Sequence, residues 1–190
     1  KIEDVLKNCA GKNLFLYLDP FGIKCLYFDR YRLLQQLRFR SVELLLNLNT
    51  FGFLREGCRL LKCRDFDDTL VGFEERQAIE GKKQTNSIAN MNRVANGEYW
   101  QEIIRSYNDG RIDAFEAEDR FVREYCQQMN GVFSTTINVP IKARKLENMP
   151  KYRMVFATNH KHGLIEMACN MARRWKQMQE DERKGQIVLF

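Results

Sequence analysis

Long apolar runs are missing from this chain. None approaches the roughly 18 residues that a membrane span needs, so no segment is expected to cross a bilayer. Proline is scarce, at three residues, and there are neither internal repeats nor a low-complexity tract. With 44% hydrophobic and 29% charged residues, the composition is that of an ordinary folded soluble protein. No C-x-x-C pair occurs among the six cysteines (Cys9, Cys25, Cys58, Cys63, Cys126 and Cys169). A chain of this size does not need disulfide staples, which predicts reduced thiols in a cytosolic protein. Cys58 and Cys63 are the nearest pair, but no His or Cys follows at a zinc-site spacing, and no metal is expected.

The residues present point to one core. The 190 residues suit a single α/β domain, residues 1–190, with a helical insertion over about 55–130. Thirty-one basic against 25 acidic residues leave a net charge of +6, which favours polyanionic partners, nucleic acid among them. The opening KIEDVLKNCAGK reads as a helix stopped at Gly11 and already running into a strand. The chain therefore reads as starting in mid-fold, with an N-terminal portion expected upstream.

Residues 14–19, Leu-Phe-Leu-Tyr-Leu-Asp, form a nearly continuous apolar run, the pattern of a strand buried on both faces of a parallel sheet. A helix over 31–38 and a second apolar strand over 42–49 complete a parallel crossover. The stretch from 55 to about 130 is charged and weakly periodic, and reads as short helices and mobile loops, with helical spacing over 98–107 and 112–129. Residues 132–143 and 152–160 are β-branched and aromatic and predict an antiparallel hairpin at a sheet edge, where Pro140 is tolerated. An amphipathic helix over 162–185 and a tail, QIVLF, close the chain.

In open α/β sheets, ligands sit at the carboxyl ends of the strands. Asp19-Pro20-Phe21-Gly22 occupies one such end, and Asn47-Leu48-Asn49-Thr50-Phe51-Gly52 the next, so polar groups converge on one crevice. Asp-Pro is also a common turn opener. A carboxylate, a proline carbonyl and an aromatic ring can together hold a planar amino group, the ring stacking on its π-face. Asn47 and Asn49 are candidates for orienting the bound group, or for capping the turn before Gly52; Arg55 is a candidate phosphate contact, or a solvated side chain. Trp100 is left open as a stacking residue, whereas Trp175 falls on an apolar helix face. His160-Lys161-His162 reads as a helix-start loop.

Asp19-Pro20-Phe21-Gly22 is similar to the Asp/Asn-Pro-Pro-Tyr/Phe motif of S-adenosylmethionine-dependent methyltransferases acting on amino groups of nucleic-acid bases, with Phe21 standing where the second proline would be. More of the chain resembles the three-Cys-motif partner family, methyltransferase-like proteins of bacteria and phages found beside a radical-SAM-like protein that carries the three cysteines. The stretches FLYLDPFGI, SVELLLNLNTFGFLR, NGEYWQEII and YRMVFATNHKHGLIEMACNMARRW carry this resemblance and span most of residues 14–175 in order. It implies the C-terminal part of a partial doubly wound, class I methyltransferase-like sheet, mostly parallel with an antiparallel edge hairpin. It also implies S-adenosylmethionine as cofactor once the N-terminal part is present, and Asp19, Pro20, Phe21 and Gly22 as the acceptor side of the site. On that reading Asp19 accepts a hydrogen bond from the acceptor nitrogen during an in-line displacement. The glycine-rich turn that would hold the cofactor is not found near any apolar strand end.

Two rival readings stand beside this one. The first is a non-catalytic partner subunit with a degenerate methyltransferase fold, binding a radical-SAM-like protein or nucleic acid through its helices and basic surface. The second is a nuclease-like domain with Asp19, Glu43 and the carboxylates of 65–68 as metal ligands, which requires those groups to meet at one place.

Overall fold

The computed structural model describes Leu6 and residues 8–20, 23–66, 87–142 and 149–183. The opening helix, Phe21, Gly22, most of the hairpin loop and the QIVLF tail expected from the sequence lie largely or wholly outside these residues.

Among the described residues four strands form one mixed sheet: β1 (Asn13–Leu18), β2 (Ser41–Leu48), β3 (Thr135–Lys142) and β4 (Pro150–Thr158), in the spatial order β1-β2-β4-β3. β1 pairs parallel to β2, while β4 runs antiparallel to both β2 and β3, so three strands share a direction and one is reversed. Among the described residues there are six helices: α1 (Phe28–Gln36), α2 (Thr50–Leu61), α3 (Ile88–Ala95), α4 (Tyr99–Asn108), α5 (Ala114–Asn130) and α6 (Lys161–Arg183). None is long and apolar enough to cross a membrane.

The period-2 burial of β2 shows which face is the core. Val42, Leu44, Leu46 and Leu48 are buried beneath the helices, and Ser41, Glu43, Leu45 and Asn47 point to the opposite face. Helices α1 to α5 cover the first face. Their centre is aromatic: the rings of Phe53 and Phe121 stack at 4.5 Å, and Trp100 meets Phe53 edge-on at 5.9 Å. Trp100 is fully buried, its indole N–H donating to Asn92 at 2.9 Å, and so is a core residue with no face left for a base. The stretch after residue 55 therefore supplies core as well as surface. Arg55 itself lies in the middle of α2 and not in a loop, its guanidinium 5.8 Å from the Phe51 ring centroid. α2 and α4 can approach closely only because residue 57 is glycine: a Cβ there would sit 2.3 Å from Ile104 Cδ1 and 3.0 Å from Trp100 Cζ3.

One expectation fails on β1. The strand is not buried on both faces: among the described residues it is an edge strand, in which Leu14, Leu16 and Leu18 pack on the core while Phe15 and Tyr17 are 53% and 52% exposed. An apolar run alone does not show how many neighbours a strand has, and this one has one among the described residues. The other edge, β3, carries Pro140 and a register irregularity between Ile141 and Lys142, devices that blunt an edge. α6 crosses the second face mainly over β3 and β4. Its first turn contains Gly163, where a Cβ would lie 2.3 Å from Glu43 Oε1, so glycine makes room for the carboxylate beside the helix start. Trp175 on this helix is half-buried.

Candidate functional site

Because β1 and β2 are parallel and in register, Leu18 beside Leu46, their carboxyl ends finish side by side. Pro20 cannot donate to a ladder, which helps to end the strand, and the preceding Asp19 is left exposed. Asn47, on the same face of β2, donates from Nδ2 to Asp19 Oδ1 at 3.0 Å. One carboxylate oxygen is thereby oriented, and Oδ2 remains available among the described residues for a further donor. The convergence expected at this crevice is thus present for Asp19 and Asn47. Phe21 and Gly22 lie outside the described residues.

Asn49 does different work. Its Oδ1 accepts from the Gly52 backbone N–H at 2.7 Å, making it the N-cap of α2. Of its two possible roles, capping is the one realised. Arg55, a turn into the same helix and half-buried, has its guanidinium over Phe51, and no hydrogen bond joins it to the Asp19–Asn47 pair among the described residues.

Below the corner lies a buried charge pair that no local motif announced. Glu118 on α5 is fully buried and receives two hydrogen bonds from Arg153 on β4, Nη2 to Oε2 at 2.6 Å and Nε to Oε1 at 3.0 Å. Thr50, the first residue of α2, donates its hydroxyl to Glu118 Oε1 at 2.7 Å. Arg153 also donates to Asn138 on β3 at 3.2 Å and stands 3.7 Å from Asp119. Arg153 pairs with Leu48 in the ladder, so this network ties α2, α5, β3 and β4 together directly beneath the loop carrying Asn49. The available sequence signal was a carboxylate on the apolar stripe of α5, where Glu118 is followed by Phe121, Val122, Tyr125 and Met129 at helical spacing, all buried.

No family model, curated protein or solved structure matches the chain.

Of the carboxylates expected of a nuclease-like centre, Asp67 and Asp68 lie outside the described residues, and Asp19 and Glu43 do not meet. Asp19 follows the carboxyl end of β1, whereas Glu43 is the third residue of β2 and faces Phe15, and no group of three His, Cys, Asp or Glu among the described residues is placed to hold a metal. His160 and His162, at the start of α6, have ring centroids 5.5 Å apart and are exposed. The described glycines also fail to form a cofactor turn. Gly11 precedes β1, and the space above Gly52 at the end of β2 is filled by the side chain of its own cap: a Cβ on Gly52 would lie 2.8 Å from Asn49 Oδ1.

Proposed function

We propose that the chain is the acceptor-binding part of a methyltransferase-like protein of the three-Cys-motif partner type, acting on an amino group of a nucleic-acid base or a similar acceptor. The observation that carries this reading is the Asp19–Asn47 pair: a strand-end carboxylate aligned by one hydrogen bond, with its second oxygen open to accept from a planar amino group. The sheet is mixed, with one parallel and two antiparallel pairings where a mostly parallel sheet was expected; what supports the reading is the position of the pair at the carboxyl ends of the two parallel strands. Asp19 holds the amino hydrogen, Asn47 holds Asp19, and the buried Glu118–Arg153 pair keeps the adjoining corner rigid. No step is assigned to the cofactor, because the described residues do not hold it.

The second reading is a non-catalytic partner subunit that binds a radical-SAM-like protein or nucleic acid, supported by the net charge of +6. Titration of the natural polypeptide with S-adenosylmethionine, followed by transfer of labelled methyl groups to oligonucleotides, separates the two. The enzyme reading expects micromolar binding and transfer that Asp19→Ala abolishes while the circular dichroism spectrum is unchanged. Failure to bind the cofactor removes it and leaves the partner subunit; transfer undiminished in Asp19→Ala removes the assignment of Asp19.

A further inference from the structure

Among the described residues the second face of the sheet is only half covered, and what it displays is not core-like. Along β1 the residues pointing to this face are Asn13, Phe15, Tyr17 and, just past the strand, Asp19; beside them on β2 stand Ser41, Glu43, Leu45 and Asn47. Two exposed rings at alternate positions of one strand sit roughly 7 Å apart along it. They alternate with amides, a hydroxyl and carboxylates, a surface too polar to be the buried half of a protein core.

At the amino end of this face the surface deepens into a cleft of about 650 Å³ whose walls include Asn13, Phe15, Arg40, Glu43, His162 and Glu166. That volume is within the usual range for a small-molecule or nucleotide site. Around it Lys12, Arg38, Arg40 and Lys161 are exposed, and none forms an ion pair among the described residues. Arg40 lines the cleft, Lys12 and Lys161 adjoin its residues Asn13 and His162 in sequence, and the carbonyl of Arg38 accepts from the Gly11 backbone N–H at 3.0 Å just before β1, so four cations stand at this end of the face.

We propose that this face binds single-stranded nucleic acid. Bases stack on Phe15 and Tyr17, phosphates are met by the cations at the amino end, and Glu43, Glu166 and Asn13 accept hydrogens from base amino groups in the cleft. Aromatic stacking on a sheet combined with a basic groove is a general solution for unpaired strands, whereas the bases of a duplex have no free faces to offer. The track runs about 20 Å from Asn13 to Asp19, so a strand lying on it delivers a base to the Asp19–Asn47 pair. Only that last point rests on the proposed methyl transfer; the binding does not.

The test is fluorescence anisotropy with labelled 12-residue single strands and the corresponding duplex, over a salt series, using the whole chain. Single strands are expected to bind more tightly than duplex, and Phe15→Ala and Tyr17→Ala each to weaken binding by about 5-fold or more. Four phosphate contacts give a slope of log affinity against log salt near about −3, falling in magnitude by about 0.7 for Arg40→Ala or Lys161→Ala. Both rings are exposed, so the variants should keep the wild-type melting temperature. The inference is overturned by absent binding at low salt, by equal binding of duplex with no effect of the ring substitutions, or by a self-associated protein that Phe15→Ala and Tyr17→Ala disperse without any effect of oligonucleotide. Binding without methyl transfer removes the reaction and keeps this inference. Methyl transfer to a free nucleoside without oligonucleotide binding removes this inference alone.

Discussion

Arg153→Met tests the buried pair. In the native protein Glu118 has no exposure, and the guanidinium supplies two of the three hydrogen bonds to it, the third coming from Thr50. Methionine fills most of the volume but leaves a carboxylate stranded among apolar side chains. Breaking a buried pair from one side in this way costs about 3–5 kcal/mol. Urea unfolding of both proteins at pH 7 reads this directly, and a loss of about 3–5 kcal/mol is expected. Glu118→Gln should be milder, since the amide oxygen still accepts from Arg153 and Asp119 stands 3.7 Å from the guanidinium. Restoring an apolar pair with Glu118→Leu in the Arg153→Met background should recover much of the loss. A destabilisation under about 1 kcal/mol would rule this account out, because the pair would then be solvated in solution.

Two further outcomes follow from packing and burial. Gly57→Ala should lower stability by about 1–3 kcal/mol in thermal or urea unfolding, since the new methyl meets Ile104 at 2.3 Å and the Trp100 ring at 3.0 Å; a stabilised variant would mean that α2 and α4 are not in such close contact. Burial pushes the thiols of Cys58 and Cys126 up, to about 12 and about 11, while Cys169 is exposed. Alkylation near pH 8 followed by peptide mapping should label Cys169 well before Cys58 or Cys126. Because both pKa values are raised above the unfolded value of 9.0, the stability these thiols contribute is present below pH 9 and is lost as pH rises through about 11–12; stability that increases over that window would contradict their burial.

Much of the architecture was legible in local pattern. The alternation of Val42, Leu44, Leu46 and Leu48, the helical spacing of Phe121, Val122, Tyr125 and Met129, and Pro140 in an edge strand each express a rule that operates within a few residues of sequence. The strand-end position of Asp19 was readable for the same reason, since a proline follows it. What depends on which strand lies beside which was not readable. The run at 14–19 looks the same whether its outer face is covered or open, and only the sheet order makes Phe15 and Tyr17 an exposed aromatic surface. Asn47 and Asn49 are indistinguishable by type and spacing; register gives one to Asp19, and the start of α2 takes the other as its cap. Glu118 and Arg153 are 35 residues apart, and nothing in either neighbourhood specifies the other. Elements follow from the order of residues, because dihedral preference and hydrophobic period are local. Partners follow from the folded arrangement, because burial, hydrogen bonding and charge pairing are settled only when distant segments meet.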